Sequence, residues 1–377
     1  MNSLELSPSP FELQKRRIFS ELGSAKREIL DLTISSPMQG GIAFDISEDL
    51  LYLSKNSGWQ NGAPNARGQI YAREAVAKYH NCDVENVWIT ASSSESYLTL
   101  FKLLCEKGDC ILTPSPGYPL LETLAGIADL HCHPYFLKQN GKSWEIDFDS
   151  FCSAPGNAKI FLLIAPHNPT GHSPSQQEWE SILAFCEKHR LALIIDEVFD
   201  AYRYEKCFPL NCSASVPIFR LDGLSKSLGL AHIKVGWIRT EGSFKDSDAL
   251  EYILDASLNC SYLSQALCAR ALPKAKDFQE KLMQRLNANR KIIFDSALNC
   301  IPAHGGWYQS IYFDGANDEE LCLHLLKEHG ILTHPGFLFD FPDGYLVVSL
   351  LQRESTVREF VESAIFYIPP YGNSQHK

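Results

Sequence analysis

Through the middle of the chain, short runs of apolar residues alternate with longer stretches in which apolar residues recur every three or four positions. The first kind comprises VWIT (87–90), CILTP (110–114), LHCHPY (130–135), KIFLLIAP (159–166), LALIID (191–196), IFRLDG (218–223) and KVGWIRT (234–240). Each predicts a strand. The second kind comprises SESYLTLFKLLCEKG (94–108), PLLETLAGIA (119–128) and SQQEWESILAFCEKHR (175–190), and each predicts a helix. The last opens well, with Pro174 and Ser175 ahead of Gln and Glu in the first turn. Strands as continuously apolar as FLLIA and LALII suit a sheet covered on both faces, and hence a largely parallel one. The expected fold class is therefore α/β, a mostly parallel sheet sandwiched by helices with right-handed crossovers.

From about residue 246 the pattern changes. A helical stretch at roughly 247–297 leads to IPAHGGWYQSIYF, a helix near 317–329 and a strand-like GYLVVSLL. This predicts a large α/β domain at 45–245. Residues 1–44 and 246–377 form an N-terminal arm and a smaller α+β domain.

Composition narrows the partners. The 377 residues are 45% hydrophobic and 21% charged with a net charge of −11, which argues against nucleic acid or an anionic membrane surface. The first twenty residues hold no apolar signal core, and no apolar run approaches the length of a bilayer span. The twelve cysteines are scattered without any C-x-x-C, as expected of reduced thiols in a cytoplasmic protein. His131-Cys132-His133 has no companion cluster at zinc-like spacing, so its plain reading is one strand face and no metal is expected.

In open α/β sheets ligands bind beyond the carboxyl ends of the strands. Those positions carry a short list of polar groups. VWIT is followed by Ala91-Ser92-Ser93-Ser94 at a helix start, and CILTP by Ser115-Pro116-Gly117-Tyr118. FLLIAP is followed by His167-Asn168-Pro169-Thr170-Gly171, LALII by Asp196-Glu197, and IFRLDG by Leu224-Ser225-Lys226. Taken singly each has a plain reading. The serines can cap a helix, although free N–H groups there also seat a phosphate. NPTG can be only a turn. Asp196 can cap the next segment, and Lys226 can lay its stem over apolar neighbours. Taken together they supply an amine, a carboxylate, an amide, a hydroxyl cluster and an aromatic ring, which is what pyridoxal phosphate requires.

These residues carry a family resemblance. PHNPTGH (166–172), IIDEVFDAY (194–202) and GLSKSLGLAHIKVGW (223–237), with the weaker RGQIYAREAVAKY (67–79), TASSSES (90–96) and PSPGYPLLE (114–122), resemble in order and spacing the fold-type I pyridoxal-phosphate enzymes of the class I/II aminotransferase family. The resemblance implies a homodimer that exchanges an amino group between an amino acid or related amine and a 2-oxo acid. It implies that Lys226 forms the Schiff base, that Asp196 holds the pyridine nitrogen protonated and that Asn168 bonds the phenolic oxygen. Tyr118 would stack on the ring. Ser92, Ser93, Ser94 and Ser225 would share the phosphate, with Lys234 as its counter-ion. A β-lyase or decarboxylase on the same scaffold, or a non-catalytic binding protein, is the alternative.

Four positions depart from the family pattern. Lys234 stands where an arginine usually forks onto the phosphate. Phe199 stands where a tyrosine usually reaches the phenolic oxygen, with Tyr202 nearby in sequence. Gly62 or Ala63 falls near a position that often carries a tyrosine reaching the partner subunit. Val347 stands where an arginine usually clamps the substrate carboxylate. Arg353, Arg67 and Arg73 are candidate replacements, each with a plain reading as surface or helix-face charge, and a substrate amine without an α-carboxylate is equally open. His334 and Trp307 are further candidates for the pocket wall.

Overall fold

The computed structural model describes residues 17–18, 20–21, 28–210 and 215–367. Much of the expected N-terminal arm before residue 28, and residues 368–377, lie outside that set. The main sheet has eight strands: β1 (Val87–Thr90), β2 (Cys110–Ser115), β3 (His131–Asn140), β4 (Ser143–Ile146), β5 (Ala158–Ile164), β6 (Ala192–Asp196), β7 (Pro217–Gly223) and β8 (Gly236–Gly242). Their spatial order is β1-β8-β7-β6-β5-β2-β3-β4. The five central strands from β7 to β3 are mutually parallel, whereas β1, β8 and β4 join antiparallel.

Alternation along these strands explains their uninterrupted apolar sequence. Phe161, Leu163, Leu193 and Ile195 enter one core, while Ile160, Leu162, Ile164 and Ile194 enter another. Each face of the sheet therefore has its own apolar layer along its central strands. Helices Ser93–Leu104, Leu120–Ile127 and Ser247–Asp255 cover the second face. Helix Gln176–His189 covers the first, where Ser175 and Glu178 form a capping box at its start.

Three expectations are corrected. The short strand β4 was not legible in SWEI, because it exists only as the hairpin partner of β3. The helical stretch at 247–297 is broken into Ser247–Asp255, Tyr262–Ala271 and Ala275–Phe294. Leu258 and Asn259 adopt left-handed φ of 57° and 61°. Asn259 also donates to the Ala66 carbonyl at 3.0 Å, and Ser261 caps the next helix. Finally, the last strand of the large sheet begins at Gly236 rather than at Lys234, which closes a short turn at φ 58°.

The smaller antiparallel sheet runs in the order Asn299–Cys300, Tyr308–Tyr312, Tyr345–Ser349, His334–Pro335. Residues Leu30–Asp31 pair in parallel with Ile331–Leu332, tying the described part of the amino-terminal segment to this half of the chain. Among the described residues no helix is long and apolar enough to cross a membrane.

Beyond the end of β6, Glu197 is buried between two guanidinium groups, Arg220 of β7 and Arg239 of β8. Arg220 also bonds Glu241 at 2.9 Å. Two strands are thereby pinned to the segment that carries Asp196. Replacing one partner of such a group leaves buried charge without compensation, so Glu197→Ala should lower unfolding stability by about 3–5 kcal/mol. Urea denaturation checks this, and a loss below about 1 kcal/mol would contradict it.

Candidate active site

The parallel strands β5, β6 and β7 end on one side of the sheet, and their following residues converge there. One cavity at this edge is lined by Ser93, Ser94, Tyr97, Tyr118, Asn168, Asp196, Ser225 and Lys226, together with Ser35, Leu120, Ile164, Val198, Phe199, Gly223, Val235 and Tyr308. Of the catalytic and cofactor-binding residues expected from sequence, all are here except Ser92 and Lys234. Ser92 is the N-cap of helix Ser93–Leu104, its hydroxyl accepting from the Glu95 amide at 3.2 Å. Lys234 is exposed and lies outside the cavity lining.

Close backbone approach makes the cavity possible. A Cβ on Gly236 would lie 2.7 Å from the Ser92 carbonyl carbon and 2.9 Å from the Ser93 nitrogen. A Cβ on Gly223, its cross-strand partner, would meet the Val235 oxygen at 2.9 Å. Gly236 lets the helix start settle onto the sheet beside the cavity that Ser93 and Ser94 line, while Gly223 allows the close approach of the two strands beneath it. Those amides have no partner within the helix, and the helix dipole adds partial positive charge. The acid in that turn, Glu95, instead accepts from the Ala91 amide.

Lys226 sits on a single helical turn, Leu224–Ser227, after β7. Its amine contacts the Ser35 carbonyl at 3.3 Å and lies 4.9 Å and 5.6 Å from the ring centres of Trp307 and Phe199. Burial among these groups pulls its pKa down to about 8, with Asp196 opposing the shift. Asp196 ends β6, fully enclosed. Burial pushes its carboxyl up, against the hydroxyl of Tyr97 at 2.6 Å and the Val198 amide at 3.1 Å.

Asn168 is presented by a tight turn. His167 and Gly171 each donate backbone bonds of 2.7 Å within PHNPTGH, and the His167 ring meets the Thr170 hydroxyl at 2.8 Å. Burial lowers the His167 pKa to about 3, so the ring is neutral. The turn reading of NPTG and the functional one are thus compatible. The Asn168 Oδ1 is buried without a partner, and a half-turn of the amide would offer its NH₂ group instead.

Tyr97 and Ser35 were missed from sequence. Tyr97 reads as one more apolar position of its helix, and Ser35 reaches the site only through tertiary folding. Tyr202 does not take the place of the tyrosine absent at Phe199. Its hydroxyl points to the carbonyls of Lys226 (2.8 Å) and Ser227 (3.2 Å), supporting the lysine turn from behind. Gly62 and Ala63 pack against Gln69, whose amide donates to the Ala63 carbonyl at 2.9 Å.

Among the described residues no arginine lines the cavity. Arg67 pairs with Glu85 and lies over Trp88, Arg73 donates to the Val84 and Val87 carbonyls, and Arg353 precedes the helix Glu354–Ala364 at the surface. Val347 is fully buried opposite Ser310 and His334. Trp307 is buried behind Lys226, whereas His334 packs edge-on against Phe339. A roomier groove of about 560 Å³ lies elsewhere, beside β4 and His304. Its buried carboxylate, Glu178, is already engaged by His172 and by the Ile146 and Ser175 amides.

A lysine amine, a buried carboxylate and an unpartnered amide facing one cavity beside a helix N-terminus match the needs of a phosphorylated pyridine aldehyde, so the residues present fit pyridoxal phosphate. Comparison with known proteins agrees. The chain is 25% identical over 348 residues to the tyrosine aminotransferase of Caenorhabditis elegans, spanning 86% of this chain and 75% of that one. It is 26% identical over 353 residues to the alanine aminotransferase of Mycobacterium bovis, spanning 86% and 81%. Its fold superposes on the alanine aminotransferase of Pyrococcus furiosus with a TM-score of 0.84 at 20% identity, over 97% and 100% of the two chains. Residues 48–363 match the family profile described as aminotransferase class I and II. The chain therefore belongs to the class I and II aminotransferases, enzymes that use pyridoxal phosphate.

Proposed function

We propose that this chain transfers an amino group between an amino acid and a 2-oxo acid by ping-pong chemistry, with pyridoxal phosphate held in the cavity around Lys226. The observation that carries the reading is the convergence of Lys226, Asp196 and Asn168 on one lining, with Asn168 Oδ1 buried and unpartnered. When bound, the cofactor supplies an aldehyde that condenses with amines and a ring that withdraws electrons from the adjoining carbon.

The protein's own groups do the rest. The Lys226 amine, depressed to about 8, is neutral far more often at physiological pH than an ordinary lysine, by roughly 300-fold. It attacks as a nucleophile and, once released, moves the proton at the substrate Cα. Asp196 holds a proton on the ring nitrogen. Asn168 bonds the phenolic oxygen, and Tyr118, half-open at the cavity mouth, covers one ring face. The Ser93 and Ser94 amides and hydroxyls, with Ser225, take the phosphate directly. Lys234 and Ser92 contribute from outside the lining, Lys234 as a longer-range positive charge and Ser92 by fixing the helix start. Among the described residues no arginine is on the lining, so in this reading the donors these residues offer the substrate carboxylate are neutral hydroxyls and amides.

In this reading residues 45–245 carry the cofactor and the remainder forms the arm and smaller domain. A homodimer is supported by exposed Leu50, Leu51, Tyr52 and Ile70 on neighbouring helices, and light scattering gives the mass that tests it. Thiols are free at every described cysteine, in keeping with a reducing compartment.

A panel of amino acids mixed singly with the loaded protein tests the reaction. A transaminase converts the cofactor to pyridoxamine phosphate with release of the matching 2-oxo acid, and Lys226→Ala should lower that conversion by at least about a thousandfold. Pyruvate and ammonia without pyridoxamine phosphate would instead identify a β-lyase. The pH dependence follows from the depressed amine. Capture of the aldehyde by the unloaded protein should accelerate as pH rises through about 8 and level off above it. Stopped-flow absorbance reads this, and a rate still climbing towards pH 10 would contradict the shift.

A further inference from the structure

One side chain on the cavity lining has no part in the scheme above. Tyr97 lies one turn into helix Ser93–Leu104, and its ring packs in the apolar layer beside Phe101 with centres 6.0 Å apart. Its hydroxyl leaves that layer and donates to Asp196 Oδ2 at 2.6 Å. The other oxygen, Oδ1, accepts from the Val198 amide at 3.1 Å. These are the only hydrogen bonds to the Asp196 side chain among the described residues, and Tyr97 is the only side chain of the two donors.

We propose that Tyr97 is a positioning residue for the cofactor, a phenol that fixes Asp196 in orientation and in its ionised form for the ring nitrogen. The inference rests on the reading of Asp196 given above. A phenol hydroxyl has one proton, and burial raises the Tyr97 pKa well above its ordinary value, so the group remains a donor. A donor aimed at a carboxylate stabilises the charged form. Without it, Asp196 would keep a single neutral donor in a site whose burial already favours the protonated acid, and a protonated acid cannot hold a proton on the pyridine nitrogen.

The geometry adds a second consequence. Ser93 and Ser94 are presented by the first turn of the same helix that carries Tyr97. One rigid element therefore sets the spacing between the anion seat and the carboxylate. The hydroxyl grips the end of β6 while the helix start rests on Gly236 of β8.

The test compares two ligands on the unloaded, full-length protein, by quenching of intrinsic fluorescence rather than by activity. One ligand is pyridoxal phosphate. The other is its 1-deaza analogue, in which carbon replaces the ring nitrogen while aldehyde and phosphate are kept. Tyr97→Phe should weaken pyridoxal phosphate by about tenfold, the scale of one charge-assisted hydrogen bond, and leave the deaza analogue within twofold of wild type. Adding Tyr97→Phe to Asp196→Ala should then cost less than twofold more, because the tyrosine acts through the carboxylate. Equal weakening of both ligands would show a structural role and overturn the proposal, as would unchanged affinity for pyridoxal phosphate. If Asp196→Ala itself fails to discriminate the two ligands, the assignment of Asp196 has failed and the proposal falls with it. Should the phenylalanine variant not fold, Tyr97→Met removes the same hydroxyl and carries the same comparison.

Discussion

The structure turns on a buried carboxylate and a half-buried amine that face one cavity without closing into a direct ion pair. Asp196 and Lys226 follow adjacent parallel strands, so sheet register alone brings them to the same edge. Their fields are coupled: Asp196 holds the Lys226 amine up while burial pulls it down to about 8. A collapsed pair would satisfy both charges and end the chemistry. The amine instead meets the Ser35 carbonyl and two aromatic faces, and the carboxylate meets Tyr97 and the Val198 amide. Each group thus has neutral partners of its own.

Around that pair the fold is arranged as support. Glu197 locks the segment after β6 to Arg220 and Arg239, and Tyr202 holds the carbonyls of the lysine turn. Gly236, paired across the sheet with Gly223, clears room for the helix start that presents Ser93 and Ser94. These contacts come from side chains next to the chemistry in sequence or directly across the sheet. Displacing one of them would move the reacting groups as well as weaken the fold. Stability and function therefore draw on the same residues at this edge of the sheet.

Much of this was legible in the sequence because the central strands are buried on both faces, and their apolar runs end abruptly at the polar residues that line the cavity. Asn168, Asp196, Ser225 and Lys226 all sit at such ends. What escaped was non-local. Strand β4 exists through its hairpin, Ser35 arrives from the amino-terminal segment, and Tyr97 hides one polar atom within an apolar helix face. The break at Leu258 and Asn259 depends on left-handed backbone that Leu, in particular, rarely signals. Lys234 shows the converse. Family spacing places it at the phosphate, while the turn at φ 58° leaves it exposed and outside the lining.

On the reading proposed above, Lys226 of the run LDGLSKSLGLAHIKVGW bonds the cofactor and Lys234 does not. Reduction of the loaded protein with borohydride, followed by digestion and peptide mass analysis, tests it most directly. The expected outcome is a single pyridoxyl-phosphate adduct on Lys226 and an unmodified Lys234. An adduct on Lys234, or none on either lysine, would contradict it.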